Sequence, residues 1–146
     1  MLLNFASISE CAAEISALGD PLFHGETSLF IKDIINNKSQ HKVFVVLRGE
    51  KIAGFLILST VLDEAEILEV AVSENMRGCG LGSELMDEVL DWCRKNGILR
   101  IFLEVRESNF PAHTYYKKYN FVENGVRKNY YRDPFENAVL MSKDLE

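Results

Sequence analysis

The fold of this chain is decided by residues 67–82, which are Ile67-Leu-Glu-Val-Ala-Val-Ser-Glu-Asn-Met-Arg-Gly-Cys-Gly-Leu-Gly82. The apolar, β-branched run at residues 67–72 predicts a buried strand. Residues 77–82 predict a glycine-rich turn, and apolar side chains at helical spacing from Leu81 onward predict an amphipathic helix. A helix begins with unpaired N–H groups and the positive end of its dipole, so this order of elements favours a site for a pyrophosphate.

The glycines alone leave more than one interpretation of this turn. Gly78, Gly80 and Gly82 match neither the P-loop, which ends in Gly-Lys-Ser/Thr, nor the Gly-x-Gly-x-x-Gly of a dinucleotide fold. A tight strand-to-helix turn without a ligand is one alternative. A nucleophilic cysteine is another, because a helix N-terminus can lower the pKa of the Cys79 thiol.

Composition and charge narrow the classes of function. The chain has 146 residues, 47% hydrophobic and 26% charged, which predicts one globular domain over residues 1–146. A net charge of −6 disfavours nucleic acid, since neutralising phosphates needs a basic surface, and suits a basic peptide. No run approaches the ~18 apolar residues of a membrane helix, and no signal peptide is evident. Three cysteines without metal-ligand spacing favour a reducing, cytoplasmic setting.

The whole chain predicts two helices, three strands, a helix, a strand, a helix and two strands. Ser7 or Ser9 should cap the first helix, which residues 19–21 (Gly-Asp-Pro) should end. Thr27 should begin the second helix, and residues 36–39 should end it. The central strand–helix–strand crossover implies parallel pairing, with antiparallel hairpins at the flanks. We therefore expect an α/β (α+β) fold with a mixed, twisted sheet of six to seven strands and helices on both faces.

Several segments resemble a known family. The Arg-x-x-Gly-x-Gly spacing within residues 77–82, after a Val-Ala-Val strand, resembles the acetyl-CoA loop of the GNAT superfamily of N-acetyltransferases. Further segments are similar to its ribosomal-protein-alanine N-acetyltransferase branch: residues 61–65, 103–109, 115–121 and 127–131. The resemblance covers most of residues 43–142, and it implies a GNAT-like sheet and an acetyl-CoA-dependent N-acetyltransferase.

The resemblance also implies roles at matching positions. Glu104 would be the general base for the acceptor amine, and Tyr116 would donate a proton to the leaving thiolate. Their alternatives are a strand-end carboxylate paired with Arg106 and an amphipathic core tyrosine. The N–H of Val72 would stabilise the thioester oxyanion. Acetyl-CoA would contact the strand end, the loop, the first helical turn and one asparagine: Val70, Ala71, Val72, Arg77, Gly78, Cys79, Gly80, Leu81, Gly82, Ser83 and Asn109.

The implied acceptor is the N-terminal α-amine of a protein, with the N-terminal alanine of ribosomal protein S18 as the candidate, attacked directly in a ternary complex. Residues 23–27 depart from the Pro-Trp-Ser/Thr pattern of that branch and keep only Thr27. A small amine or a lysine side chain is therefore an alternative acceptor. A non-catalytic CoA-binding module is a further alternative. The three histidines are scattered, so no metal is expected, and nothing in the sequence predicts an oligomeric state.

Overall fold

The computed structural model describes residues 1–36 and 41–145. The helices are α1 (Phe5–Phe23), α2 (Glu26–Ile35), α3 (Leu81–Lys95) and α4 (Phe110–Lys118). The strands are β1 (His41–Arg48), β2 (Lys51–Val61), β3 (Glu64–Val72), β4 (Arg100–Arg106), β5 (Val122–Tyr131) and β6 (Glu136–Asp144). A short 3-10 helix, Glu74–Met76, lies between β3 and α3. The predicted order of helices and strands is confirmed.

The strands form one six-stranded sheet in the order β1-β2-β3-β4-β6-β5. The neighbours β3 and β4, which α3 connects, pair in parallel, and the other neighbouring strands within residues 1–36 and 41–145 pair antiparallel. Outside the named strands, Leu2 forms a bridge with Phe44 at the outer edge of β1. The predicted mixed sheet, with a parallel crossover at its centre, is confirmed.

Helices cover both faces of the sheet, but they cover them unequally. On one face, Leu85 and Val89 of α3 pack in a core with Leu103 of β4 and Met141 of β6. On the other face, α1 and α2 bury residues of β1, β2 and β3. Within the part of the chain that the structure describes, β4, β5 and β6 contribute no residue to that second core. Among the described residues, no helix therefore packs against the half of the second face formed by β4, β5 and β6.

Strand β3 contains a β-bulge at the centre of the sheet, where it begins to separate from β4. Leu58 of β2 lies opposite Ile67, but the preceding residue, Ile57, lies opposite Glu69, so Leu68 is an extra residue in β3. Pairing between β3 and β4 covers only residues 64–67 and 100–103, and it stops where the bulge begins. Both strands continue beyond that point, and their carboxyl ends therefore diverge and leave a gap.

The predicted ends of α1 are wrong, and so is the predicted first residue of α2. Asn4 caps α1, because its side chain accepts a hydrogen bond from the Ser7 N–H at 2.9 Å. The helix also continues through Pro21. Asp20, directly before the proline, accepts the N–H of Ser28 in the first turn of α2 with its carboxylate at 2.9 Å.

The second helix begins at Glu26 rather than Thr27. Asn36 follows it directly, and residues 37–39 of its predicted end lie outside the described residues. None of the described helices is long and apolar enough to cross a membrane.

Candidate active site

The glycines after β3 serve two different purposes. Gly78 and Gly80 both adopt φ near 81°, which glycine tolerates better than any other residue. Gly82 is required for close packing instead, because a Cβ there would lie 3.1 Å from Cε1 of Tyr115. The loop can therefore turn sharply while α4 packs directly on the first turn of α3.

The start of α3 opens into a pocket of about 380 Å³. Gly80 is the N-cap, and no side chain among residues 1–36 and 41–145 caps this helix. Its first N–H groups and the positive end of its dipole are thus available to an anion. Apolar and backbone groups of three segments line the pocket: Val70, Val72, Met76, Arg77, Gly78, Gly80, Leu81, Gly82, Pro111, Ala112, Tyr115 and Tyr116.

The predicted cofactor residues are only partly brought together. Seven of them line this pocket: Val70, Val72, Arg77, Gly78, Gly80, Leu81 and Gly82. Ala71 is buried in the core under α1 and α2, and Cys79 is exposed. The hydroxyl of Ser83 accepts a hydrogen bond from Lys118 at 3.2 Å. Asn109 caps α4 by accepting the Ala112 N–H at 3.3 Å.

The edge of β3 that faces the gap carries backbone groups directed away from β2. The N–H of Ser73 donates to the carbonyl of Ala53 at 2.7 Å. Val72, which lies opposite Gly54, therefore directs its own N–H and C=O toward the other edge of β3. Two residues earlier, Val70 has the same orientation by strand alternation. Since β4 has diverged at this level, these two amides face the gap.

Two adjacent tyrosines of α4 have different environments. The hydroxyl of Tyr115 donates to the carbonyl of Gly82 at 2.6 Å, so its proton is already used. Tyr116 is 8% exposed, and its ring contacts Phe121 edge to face at 5.6 Å between ring centroids. Burial raises the pKa of Tyr116, so its hydroxyl stays protonated at neutral pH. Within the described part of the chain no residue hydrogen-bonds that hydroxyl.

Glu104 lies on the opposite face of the sheet, just beyond the last β3–β4 pair. Its Oε1 is 3.4 Å from Nη2 of Arg127, and its interaction with Tyr130 raises the pKa of that tyrosine. Arg106, the partner suggested as an alternative, pairs with Glu136 at 3.3 Å instead. The structure thus places Glu104 at the gap with a partner that sequence reasoning did not identify.

Sequence reasoning missed other groups around Glu104. Burial and the charge of Glu104 raise the pKa of Glu66. The guanidinium of Arg127 lies over the Tyr130 ring at 5.2 Å. Burial and then Glu104 raise the pKa of Tyr131. A signal was present, because Glu66 lies between the apolar residues of its strand and must point away from their core.

A buried carboxyl group lies at the bulge beneath α2. Glu69 is 2% exposed, and its Oε1 accepts a hydrogen bond from Thr27 Oγ1 at 2.6 Å. Burial raises the pKa of Glu69 to about 7. Thr27 fits there because of Gly19, where a Cβ would lie 2.1 Å from Thr27 Oγ1. This contact joins both N-terminal helices to the strand that borders the gap.

In the described ranges, no three His, Cys, Asp or Glu side chains are placed to hold a metal ion.

The candidate site has two parts, which are a pocket with a helix N-terminus on one face of the sheet and carboxylates on the other face. Such an arrangement can bind an anionic, elongated ligand and can accept a proton at the gap between β3 and β4.

Known proteins share this architecture. The sequence profile of the acetyltransferase (GNAT) family matches residues 12–121. The chain belongs to the GNAT family. A [ribosomal protein bS18]-alanine N-acetyltransferase of Haemophilus influenzae is 40% identical over 100 residues, covering 66% of this chain and 68% of that protein. Its Escherichia coli counterpart is 35% identical over 109 residues, covering 73% of this chain and 74% of that protein.

Two solved structures share this fold over the length of the chain. The ribosomal-protein-S18-alanine N-acetyltransferase of Escherichia coli has a TM-score of 0.80 at 26% identity, covering 100% of this chain and 94% of that one. Ard1 from Thermoplasma volcanium also has a TM-score of 0.80, at 32% identity, covering 100% of this chain and 97% of that one. The predictions of a GNAT fold and of acetyltransferase activity are confirmed.

Proposed function

We propose that this GNAT enzyme transfers an acetyl group from acetyl-CoA to the N-terminal α-amine of a protein, with the N-terminal alanine of ribosomal protein bS18 as its acceptor. The observation that carries the proposal is the gap between β3 and β4, which lies between the pocket of Tyr116 on one face of the sheet and Glu104 on the other. The relatives named for that acceptor support its identity. A ribosomal acceptor would place the reaction in the cytoplasm.

The pocket beside α3 fits acetyl-CoA, which supplies an activated acetyl thioester when bound. The uncapped first turn of α3 and the adjacent Arg77 suit the pyrophosphate. The amides of Val70 and Val72 suit the carbonyl groups of the pantetheine arm and of the thioester. An N–H fixed in place at the gap stabilises negative charge on the thioester oxygen without having to reorient.

Glu104 acts as the general base on the acceptor side. An α-ammonium has a pKa near 8, so a modest base suffices to remove its proton, whereas a lysine amine near 10.4 demands more. Arg127 holds the carboxylate at 3.4 Å in the free enzyme, and an incoming ammonium competes with that guanidinium for it. The acceptor amine then attacks from the face of the sheet opposite to the cofactor pocket.

Tyr116 acts as the general acid on the cofactor side. Tyr116 lines the pocket, and its hydroxyl is protonated and has no hydrogen-bond partner among the described residues. It can therefore donate to a departing thiolate with a pKa near 8–9. Tyr115 has a positioning role, because its hydroxyl fixes the first turn of α3 through Gly82. Tyr115 therefore fixes the geometry of the binding site, whereas Tyr116 transfers the proton.

Initial rates on three acceptors test the proposal. They are an Ala-starting peptide of the bS18 N-terminus, the same peptide with a blocked α-amine, and spermidine. We expect acetylation of the first alone, located on the α-amine by mass spectrometry. Equal or faster acetylation of spermidine, or of a lysine in the blocked peptide, would contradict an α-amine acceptor. Absence of turnover on all three would contradict the proposed function as a whole.

A further inference from the structure

An uncovered trough lies on the face of the sheet that α1 and α2 cover only in part. Its volume is about 450 Å³. We define the trough by the side chains of Val61, Glu64, Glu66, Phe102, Glu104, Leu140 and Arg127, all of which line it. Because the second core takes its described residues from β1, β2 and β3 among the strands, the part over β4, β5 and β6 has no helix above it.

Strand alternation fixes the direction of these side chains. Ile67, Leu103 and Met141 are buried in the core beneath α3. Residues at odd spacing from them in β3, β4 and β6 therefore point to the other face. Glu66 lies directly opposite Phe102, and Glu104 lies directly opposite Leu140, so charged and apolar groups adjoin along the trough.

The trough is continuous with the proposed acceptor site. Glu104 forms its end at the gap, and Glu64 and Val61 form its far end at the start of β3. Glu104 is four residues further along the sheet than Arg100, which pairs with Glu64. At ~3.3 Å per residue this separation is about 13 Å, the length of four residues of an extended chain.

The charges of the trough favour a cationic occupant. Its charged side chains are three carboxylates and one guanidinium, and the guanidinium of Arg127 is already paired with Glu104. No ion pair of the described structure includes Glu64 or Glu66. The guanidinium of Arg100 lies 5.9 Å from the Phe102 ring centroid and is paired with Asp144. Between these two carboxylates of β3 and Glu104, half-buried Phe102 and Leu140 supply an apolar floor.

We propose that this trough binds the acceptor chain beyond its N-terminal residue, as an extended segment with basic side chains at about its third to fifth positions. The inference rests on the proposed function and specifies its substrate class. The acceptor amine lies at Glu104, apolar atoms of the chain pack on Phe102 and Leu140, and cationic side chains pair with Glu66 and Glu64. Charge complementarity of this kind selects among acceptors and accelerates their association.

The test compares KM values for three Ala-starting peptides. They are a neutral tripeptide, a nonapeptide with arginine at positions 4 and 5, and the same nonapeptide with glutamate there. With the unmodified enzyme we expect the KM of the arginine peptide to be at least ~10-fold lower than that of the glutamate peptide. Glu64→Lys should raise the first KM and lower the second. Asp91→Lys makes the same charge change at an exposed position of α3 and should leave the KM values of both nonapeptides unchanged.

The gain on the glutamate peptide is the decisive result, because a misfolded variant cannot produce it. Equal KM values for the two nonapeptides, with the tripeptide acetylated, would overturn the trough while leaving the proposed function intact. Failure to acetylate the tripeptide would overturn both. A dimer in solution that dissociates in Glu64→Lys would place a second copy of the chain in the trough and also overturn the proposal.

Discussion

The two faces of the gap between β3 and β4 are built in different ways. The face proposed to bind the cofactor is made largely of backbone from one continuous stretch, residues 70–82, supported by α4. The face proposed to bind the acceptor is made of side chains that β3, β4 and β5 bring together from distant parts of the sequence. Backbone geometry suits a cofactor that many enzymes share, whereas converging side chains can change independently to suit one acceptor.

The comparison predicts that chemistry depends most strongly on Glu104. Glu104→Gln should lower kcat by roughly 10²–10⁴-fold, because it removes the general base while keeping the size of the side chain. The affinity for CoA, measured by calorimetry, should barely change, since the cofactor pocket opens on the other face. The exposed Glu107→Gln is the matched control, and its kcat should stay near that of the unmodified enzyme. A Glu104→Gln enzyme with normal kcat would exclude this role.

The cofactor face should fail in binding rather than in chemistry. Gly80→Asp puts a carboxylate beside the start of α3, where it repels pyrophosphate, and should weaken CoA binding by ~100-fold, about 3 kcal/mol. Gly97→Asp is the control, because Gly97 also has positive φ, 75°, but follows the far end of α3. Both variants carry a similar backbone strain, so equal CoA affinities in the two folded proteins would put the site elsewhere.

The tyrosine pair sharpens the comparison within one helix. Tyr116→Phe should slow single-turnover acetyl transfer by about 10- to 100-fold, below the upper end of acid catalysis because a thiolate leaves readily. Tyr115→Phe should slow transfer only a few-fold and lower the free energy of unfolding by ~1 kcal/mol, since it loses the bond to Gly82. A reversal of the two rates would show that Tyr115 faces the thioester. Normal rates in both would make water the proton donor.

The smallest expected effect concerns stability at the bulge. Burial raises the pKa of Glu69 to about 7 from 4.5, so the folded state holds this proton more tightly than the unfolded state. The free energy of unfolding should therefore fall as the pH rises from 4.5 to about 7, and the loss persists at higher pH. Glu69→Gln should remove this contribution and gain ~1–3 kcal/mol at pH 8 by denaturant unfolding. If the free energy of unfolding of Glu69→Gln varied with pH in the same way as that of the Glu50→Gln control, Glu69 would titrate as an exposed carboxylate does.

The difference between the two faces also explains what the sequence could predict. Positive φ and close packing demand glycine locally, so Gly78, Gly80 and Gly82 could predict the turn before α3, where the proposed cofactor pocket lies. Arg127 of β5 pairs with Glu104 of β4, and β6 lies between these two strands in the sheet. Spacing in the sequence therefore could not identify Arg127 as the partner of Glu104. Pro21 misled the prediction of α1, which continues through it, and the contact of Asp20 with the next helix is not visible from spacing. Local backbone requirements are visible in sequence, and contacts made by folding are not.

The claim that the two faces meet at one reacting centre can be tested directly with a bisubstrate ligand. This ligand is CoA linked through an acetyl bridge to the α-amine of an Ala-starting peptide, and its Kd is compared with that of CoA by calorimetry. We predict binding at least ~100-fold tighter than CoA, because linking makes the second binding event intramolecular. Both Gly80→Asp and Glu64→Lys should weaken it. Affinity equal to that of CoA, with no effect of Glu64→Lys, would contradict a shared centre at the gap.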